Sequence, residues 1–358
     1  MQELLTLTKD LMRFKSVHSA PAEINRCADF VQAYLAAHAI GFRRFDVAGV
    51  PSILVMPHGR QAPVLLMAHI DVVDGPEAIF EPFEKEGRLY GRGSVDDKYA
   101  VALALVLVRR HLERLRAAGR GQSNLSFGVL ITGDEEIGGA NGAGHVLAEI
   151  ETDFGIALDG GSLEKIVVKE KGLARLRLVA RGRAAHGSRP WLGENAIENL
   201  MADYTRLKSF FQVSAPDHWH RTMNLGILTA GRAVNQVPDR AEALLDIRFT
   251  EDDDLDRLLA EMAAAVRGEL MVERRDPLFV GGQSPYLETL LALSPGTRIG
   301  AEHGASDARY LSARGIPGIV WGADGDRSQH ADDEHVDIRS VQRLFTVLDD
   351  FLKKVKTF

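Results

Sequence analysis

The chain has 358 residues, 45% of them hydrophobic, with 43 Lys and Arg against 50 Asp and Glu and a net charge of −7. That length supports a large core and two domains. The interspersed charge offers no clustered basic footprint, so nucleic acid is excluded as an expected partner. In chain order, Met1 to Val17 mixes charged and apolar positions as an amphipathic helix does and carries no signal-peptide core, so the expected location is cytoplasmic. Pro21 followed by Ile24, Cys27, Phe30, Val31 and Leu35 predicts a second helix with proline at its start. Ser52 to Met56, Val64 to Ala68 and Leu125 to Thr132 read as buried strands, Tyr99 to Leu115 as a helix covering them, and Ile156 to Leu158 as a further strand. The longest apolar run, Ala100 to Val108, falls far short of the roughly 20 residues a membrane helix needs, so no membrane partner is expected. Strands alternating with helices predict an α/β fold with a mixed, partly parallel sheet.

From Leu173 the texture changes to alternating apolar and charged residues, the pattern of a half-exposed antiparallel strand. A helix over Asn195 to Phe211, strands over Asn224 to Thr229 and Ala241 to Phe249, and a helix opened by Asp252, Asp253 and Asp254 complete an α+β segment. Ser306 to Ala313, the strand Gly318 to Trp321 and a helix over Asp337 to Val355 then return to the first texture. The expected organisation is a discontinuous domain over 1–168 and 278–358, interrupted by an inserted domain over 169–277.

The residues with chemistry lie where strands end. His69 and Asp71 face one way at the end of the Val64 to Ala68 strand, although taken alone they read first as a capping histidine and a turn aspartate. Asp96 and Asp97 sit in the glycine-rich loop Gly91 to Lys98, where an N-cap is the plain alternative. Asp134, Glu135 and Glu136 are successive acids after a buried strand, and their mutual repulsion asks for a cation among them. Asp159 and His330 follow two further strands. Cys27 is the only cysteine. A thiolate cage is therefore ruled out, and two histidines and three carboxylates, one of them shared, suffice for two zinc ions.

Met67 to Val73, the Gly91 to Lys98 loop, Gly133 to Gly138, and His330 with Glu334 resemble the co-catalytic dizinc peptidases, the family of aminoacylase, glutamate carboxypeptidase, acetylornithine deacetylase and succinyl-diaminopimelate desuccinylase. Ala185 to Pro190, Gly193 to Ala196, and Val234 to Arg240 leading to Asp246-Ile247-Arg248 resemble the family's lid, and Ser306 to Arg309 its late substrate-side motif. The resemblance implies two Zn²⁺ ions per chain, with Co²⁺ or Mn²⁺ as substitutes. It makes His69 and Asp159 ligands of one metal, Glu136 and His330 of the other, and Asp96 the bridge. It implies Glu135 as general base, Asp71 as the carboxylate orienting His69, and a cis peptide at Asp96-Asp97. His186 would donate to the oxyanion, from the same chain or a partner subunit. Asn235, Arg248 and Ser306 would bind a substrate carboxylate, while Arg248 reads equally as a strand-surface cation.

The implied activity is hydrolysis of small peptides, as an exopeptidase or dipeptidase. N-acyl amino-acid deacylation is the alternative, and a non-catalytic binding protein of the same fold stands behind both. Asp at position 159 favours the peptidase, because family members with Glu there are mostly deacylases. A homodimer through the inserted lid domain is also implied. Glu302 to Ala305 depart from the family's paired glycines and threonine.

Overall fold

In the computed structural model, which describes residues 1–356, the strand Gln61–His69 is buried on both faces. Its residues alternate between two apolar clusters, Val64, Leu66 and Ala68 joining one while Leu65 and Met67 join the other. The same period of two places Val129 and Ile131 of Phe127–Thr132 in the first cluster and Leu130 in the second. Helices Gln2–Met12, Pro21–Ala37, Lys98–Ala117 and Ile338–Lys354 supply the first cluster, and Ala143–Val146 and Arg309–Ser312 the second.

Among the described residues this sheet has nine strands. Their order is Arg43–Val47, Val50–Val55, Phe127–Thr132, Gln61–His69, Glu151–Ala157, Gly318–Val320, Lys165–Glu170 and Phe279–Val280, with Arg298–Glu302 paired to Lys165–Glu170. Phe127–Thr132, Gln61–His69, Glu151–Ala157 and Gly318–Val320 run parallel, and the strands flanking them are antiparallel. A parallel pair needs a long crossover. Lys98–Ala117, buried from Lys98 through Val108, provides it between Gln61–His69 and Phe127–Thr132.

The chain divides into two compact units, one of Met1–Lys169, Phe279–Glu302 and the residues from Ser306 onward, the other of Glu170–Leu278 and His303–Ala305. The last two positions of the expected 278–358 segment lie outside the described residues. In the second unit the strands Thr222–Ala230, Arg240–Phe249, Gly172–Arg181 and Glu269–Asp276 form an antiparallel sheet in that order. Ala196–Lys208 and Leu255–Ala265 bury Leu200, Leu207, Leu258, Leu259 and Met262 with Leu176, Leu178, Leu245 and Ile247 of the sheet. Asn195 and Asp254 cap these helices by accepting from Ile197 N and Arg257 N. His303 groups with this unit, its ring 6.0 Å from that of Trp219.

Two expected elements end early for identifiable reasons. The first helix stops at Met12 rather than Val17, because the backbone beyond it is taken by other parts of the chain: Lys98 Nζ donates to Phe14 O at 2.6 Å, and Ser16 O accepts from Val72 N at 3.1 Å. The Asn195 to Phe211 helix ends at Lys208 and tightens into a 3₁₀ turn over Ser209–Phe211. Glu269–Asp276, with Glu273, Arg274 and Arg275 in its interior, escapes hydrophobic patterning because it lies at a sheet edge. Among the described residues no helix is long and apolar enough to cross a membrane.

Candidate active site

The parallel strands of the first unit end side by side, the place where open α/β sheets collect their ligands. His69 is the last residue of its strand, Asp159 follows Glu151–Ala157, and Glu135 and Glu136 lie in the turn Glu135–Ile137 after Phe127–Thr132. Asp96, joined to Asp97 by a cis peptide, precedes helix Lys98–Ala117. His330 sits in a loop with its backbone in the left-handed region at φ 64°.

Donor atoms of His69, Glu135 and Asp159 all lie within 4.8 Å of one another, and so do those of Asp96, Glu136 and His330. Asp96 joins the two groups, with Oδ1 2.9 Å from His69 Nε2 and Oδ2 3.1 Å from His330 Nε2. His330 Nε2 is also 3.1 Å from Glu136 Oε2.

The three successive acids divide their work. Asp134 turns inward and accepts the backbone N–H groups of Asn141 and Gly142 at 2.9 and 3.2 Å, closing its own loop. Glu135 reaches Arg309, whose Nη2 donates to Oε1 at 3.0 Å. Glu136 points to His330. The double glycine that follows is required by space: Gly139 has φ +65°, and a Cβ there would sit 1.9 Å from Asp307 Oδ1.

Asp71 does more than the sequence suggests. His69 Nδ1 lies 3.0 Å from the Asp71 carbonyl oxygen and 3.5 Å from its carboxylate. The fully buried carboxylate also accepts the N–H groups of Glu135 and Glu136 at 3.2 and 2.9 Å and a hydrogen bond from His18 Nε2 at 2.9 Å. Burial opposes its charge, yet the hydrogen bonds from His18 and His69 bring its pKa down to about 2.

Arg92 and Glu334 form a buried pair, with Nη1 donating to Oε2 at 2.5 Å and the side chains 2% and 0% exposed. The other Glu334 oxygen accepts from the N–H groups of Val95 and Asp96 at 3.3 Å, and Arg92 Nη2 donates to His330 O at 3.3 Å. The pair therefore ties the Asp96 loop to the His330 loop. Motif reading passed over Arg92, although an arginine between Gly91 and Gly93 was the available signal. Arg92→Met should cost about 3–5 kcal/mol in chemical denaturation, because it leaves Glu334 buried without a counter-charge. A loss below about 1 kcal/mol would show that the loops are held by other contacts.

The charge balance of the site calls for cations. The carboxyl groups of Asp71, Asp96, Asp97, Asp134, Glu135, Glu136, Asp159, Asp307 and Glu334 outnumber the basic side chains Arg92, Lys98 and Arg309 among them, and burial weakens the charge on Lys98. Burial pushes Asp159 up to about 7, and pushes Glu135 well above the usual carboxylate range. Hydrogen bonds to Asp96 and then Glu136 draw His330 up to about 10, the mark of a field that attracts positive charge. Glu136 Oε1 and Asp159 Oδ1 are buried with no hydrogen-bond partner. Such atoms cost about 1–3 kcal/mol each unless a ligand satisfies them. These donors, nitrogen and oxygen without sulfur, suit zinc, cobalt or manganese.

The second unit holds three of the remaining four candidates. His186 is exposed on the two-stranded ribbon Ala185–His186 with Gln236–Val237. Its Nδ1 accepts the Ser188 N–H at 3.2 Å and lies 2.8 Å from Ser188 Oγ. A backbone N–H can only donate, so in the neutral ring Nε2 carries the proton. Asn235 is exposed, its carbonyl accepting from Gly187 N at 2.7 Å. Arg248 is half-buried and its fork is already engaged, Nε and Nη2 donating to the two oxygens of Asp246 at 2.8 and 3.3 Å. Ser306, in the first unit, is buried and its Oγ accepts from Ala308 N at 3.3 Å.

The chain is 27% identical over 385 residues to a succinyl-diaminopimelate desuccinylase of Alkalilimnicola ehrlichii, covering 99% of this chain and 100% of that one. It is 26% identical over 361 residues to a peptidase M20 domain-containing protein of Schizosaccharomyces pombe, covering 98% and 84%. In fold it is similar to the crystal structure of an M20 family metallo-carboxypeptidase from Sulfolobus solfataricus, with TM-score 0.80, 18% identity and 99% coverage of both chains. With residues 65–354 matching peptidase family M20/M25/M40, the chain belongs to that family of metal-dependent hydrolases and is an enzyme of its kind.

Proposed function

We propose that this enzyme is a dinuclear metal peptidase that hydrolyses small peptides as an exopeptidase or dipeptidase. The observation carrying this reading is that two groups of donor atoms, one of His69, Glu135 and Asp159 and one of Asp96, Glu136 and His330, are linked through the Asp96 carboxylate. His69 and Asp159 would hold one cation, Glu136 and His330 the other, with Asp96 between them. When bound, such cations polarise a carbonyl and make an attacking water more acidic. Glu135 takes the proton from that water and passes it to the leaving nitrogen. Asp71 and Arg309 hold Glu135 at its backbone and its carboxylate. His186, with its proton on Nε2, donates to the carbonyl oxygen as that oxygen gains charge. Asn235, Arg248 and Ser306 would hold the substrate carboxylate, Arg248 by exchanging Asp246 for it.

Deacylation of N-acyl amino acids is the second reading, favoured by the similarity to a desuccinylase. Asp rather than Glu at position 159 supports the peptidase. A homodimer through the second unit is part of the proposal, because Thr222–Ala230 lies at a sheet edge with Ile227 and Leu228 exposed. A hydrolysis panel of dipeptides, longer peptides, N-acetyl and N-succinyl amino acids, with zinc, cobalt or manganese added, decides among these. Cleavage confined to N-acyl substrates would discard the peptidase.

Metal content gives a separate test. Elemental analysis of zinc-loaded protein should approach two ions per chain, and His330→Ala or Glu136→Ala should lose mainly one. A loaded protein that retains no zinc would overturn both the site and the mechanism.

A further inference from the structure

His18 belongs to none of the ligand or base positions, yet it bonds the carboxylate that holds their turn. Its Nε2 donates to Asp71 Oδ2 at 2.9 Å, and that same oxygen accepts the Glu136 N–H at 2.9 Å while Oδ1 accepts the Glu135 N–H at 3.2 Å. Asp71 therefore holds the backbone of the turn from which the proposed base and a proposed ligand project.

His18 arrives there on a strap that is itself fixed. Lys98 Nζ donates to Phe14 O at 2.6 Å, Ser16 Oγ donates to Ile70 O at 2.5 Å, and Val72 N donates to Ser16 O at 3.1 Å. Ser16 and Lys98 are buried, and the His18 side chain is 27% exposed. The strap, residues 14–18, lies before the segment 65–354 that matches the family.

We infer that His18 is a positioning residue of the proposed hydrolysis: through the Asp71 carboxylate it fixes the amides of Glu135 and Glu136, and with them the direction in which Glu135 faces the substrate. The inference rests on the peptidase reading for its kinetic consequence and on the hydrogen-bond geometry alone for its structural one. Without the imidazole donor, the buried Asp71 oxygen keeps the Glu136 amide but loses its link to the strap. The carboxylate is then held less firmly, and the turn can move with it. Glutamine at position 18 retains an N–H donor and should replace much of what alanine removes.

The test uses the full chain as wild type, His18→Ala and His18→Gln. At saturating zinc, with a dipeptide from the panel that the wild type cleaves, His18→Ala should lose roughly 10- to 100-fold in kcat with KM little changed. It should keep its melting temperature and its zinc content, and His18→Gln should recover most of the rate. In zinc-free protein, backbone hydrogen exchange in the peptide covering 133–138 should quicken in His18→Ala and return towards wild type in His18→Gln. Wild-type rate and exchange in His18→Ala, or a His18→Gln as impaired as the alanine variant, would overturn the inference. A wild type that cleaves nothing in the panel would remove the peptidase reading, and the exchange experiment would still decide whether His18 holds the turn.

Discussion

Glu135→Gln is expected to bind zinc like the wild type and to lose about 10²- to 10⁴-fold in kcat, the range set by removal of a general base. The substitution conserves volume and leaves an oxygen for Arg309 Nη2, which donates to the carboxylate at 3.0 Å, so the fold should be unaffected. What it removes is basicity. Burial is the main reason Glu135 holds a proton well above the usual carboxylate range, with Asp307 and Asp159 adding to it and His69 and Arg309 acting against it. A carboxylate raised in this way is a stronger base than an exposed glutamate. An interaction used only on the way to the transition state should appear in kcat and in kcat/KM together, with KM nearly constant. Steady-state kinetics on zinc-loaded protein checks this, and near-normal turnover would place the base elsewhere.

His186→Ala should fold and bind zinc normally and lose about 10²- to 10³-fold in turnover, as expected when a principal oxyanion donor is removed. The side chain is exposed, and its hydrogen bonds stay within Ser188, so little stability depends on it. Its acceptance of the Ser188 N–H leaves Nε2 as the donor, already in the tautomer the role requires. Ultracentrifugation decides which chain supplies it. In an exchanging dimer, mixing His186→Ala with Glu135→Gln should restore partial activity if the donor crosses between subunits, because one site of the hybrid then has both residues intact. A monomer would require closure of the chain on itself. Unchanged turnover in His186→Ala would remove this histidine from the mechanism.

The sequence by itself determined what depends on neighbours along the chain. Apolar runs such as Val64 to Ala68 specify a strand buried on both faces, Asn195 and Asp254 specify helix starts, and acids or histidines just past apolar strands mark the end of the sheet where the site lies. These are legible because side-chain period and capping chemistry act over a few residues. The tertiary structure alone decided which groups meet. Local pattern gives Asp134, Glu135 and Glu136 only as successive acids after a strand, and packing sends one to loop amides, one to Arg309 and one to His330. The Asp71 carboxylate lies 3.5 Å from His69 Nδ1, and it also holds the turn of Glu135 and Glu136, because the Thr132 strand lies beside the His69 strand in register. Arg92 and Glu334 are 242 residues apart and His18 and Asp71 are 53 apart. No local pattern encodes either pair, since each forms only after the sheet and its covering helices have brought their loops to one end and excluded water from between them.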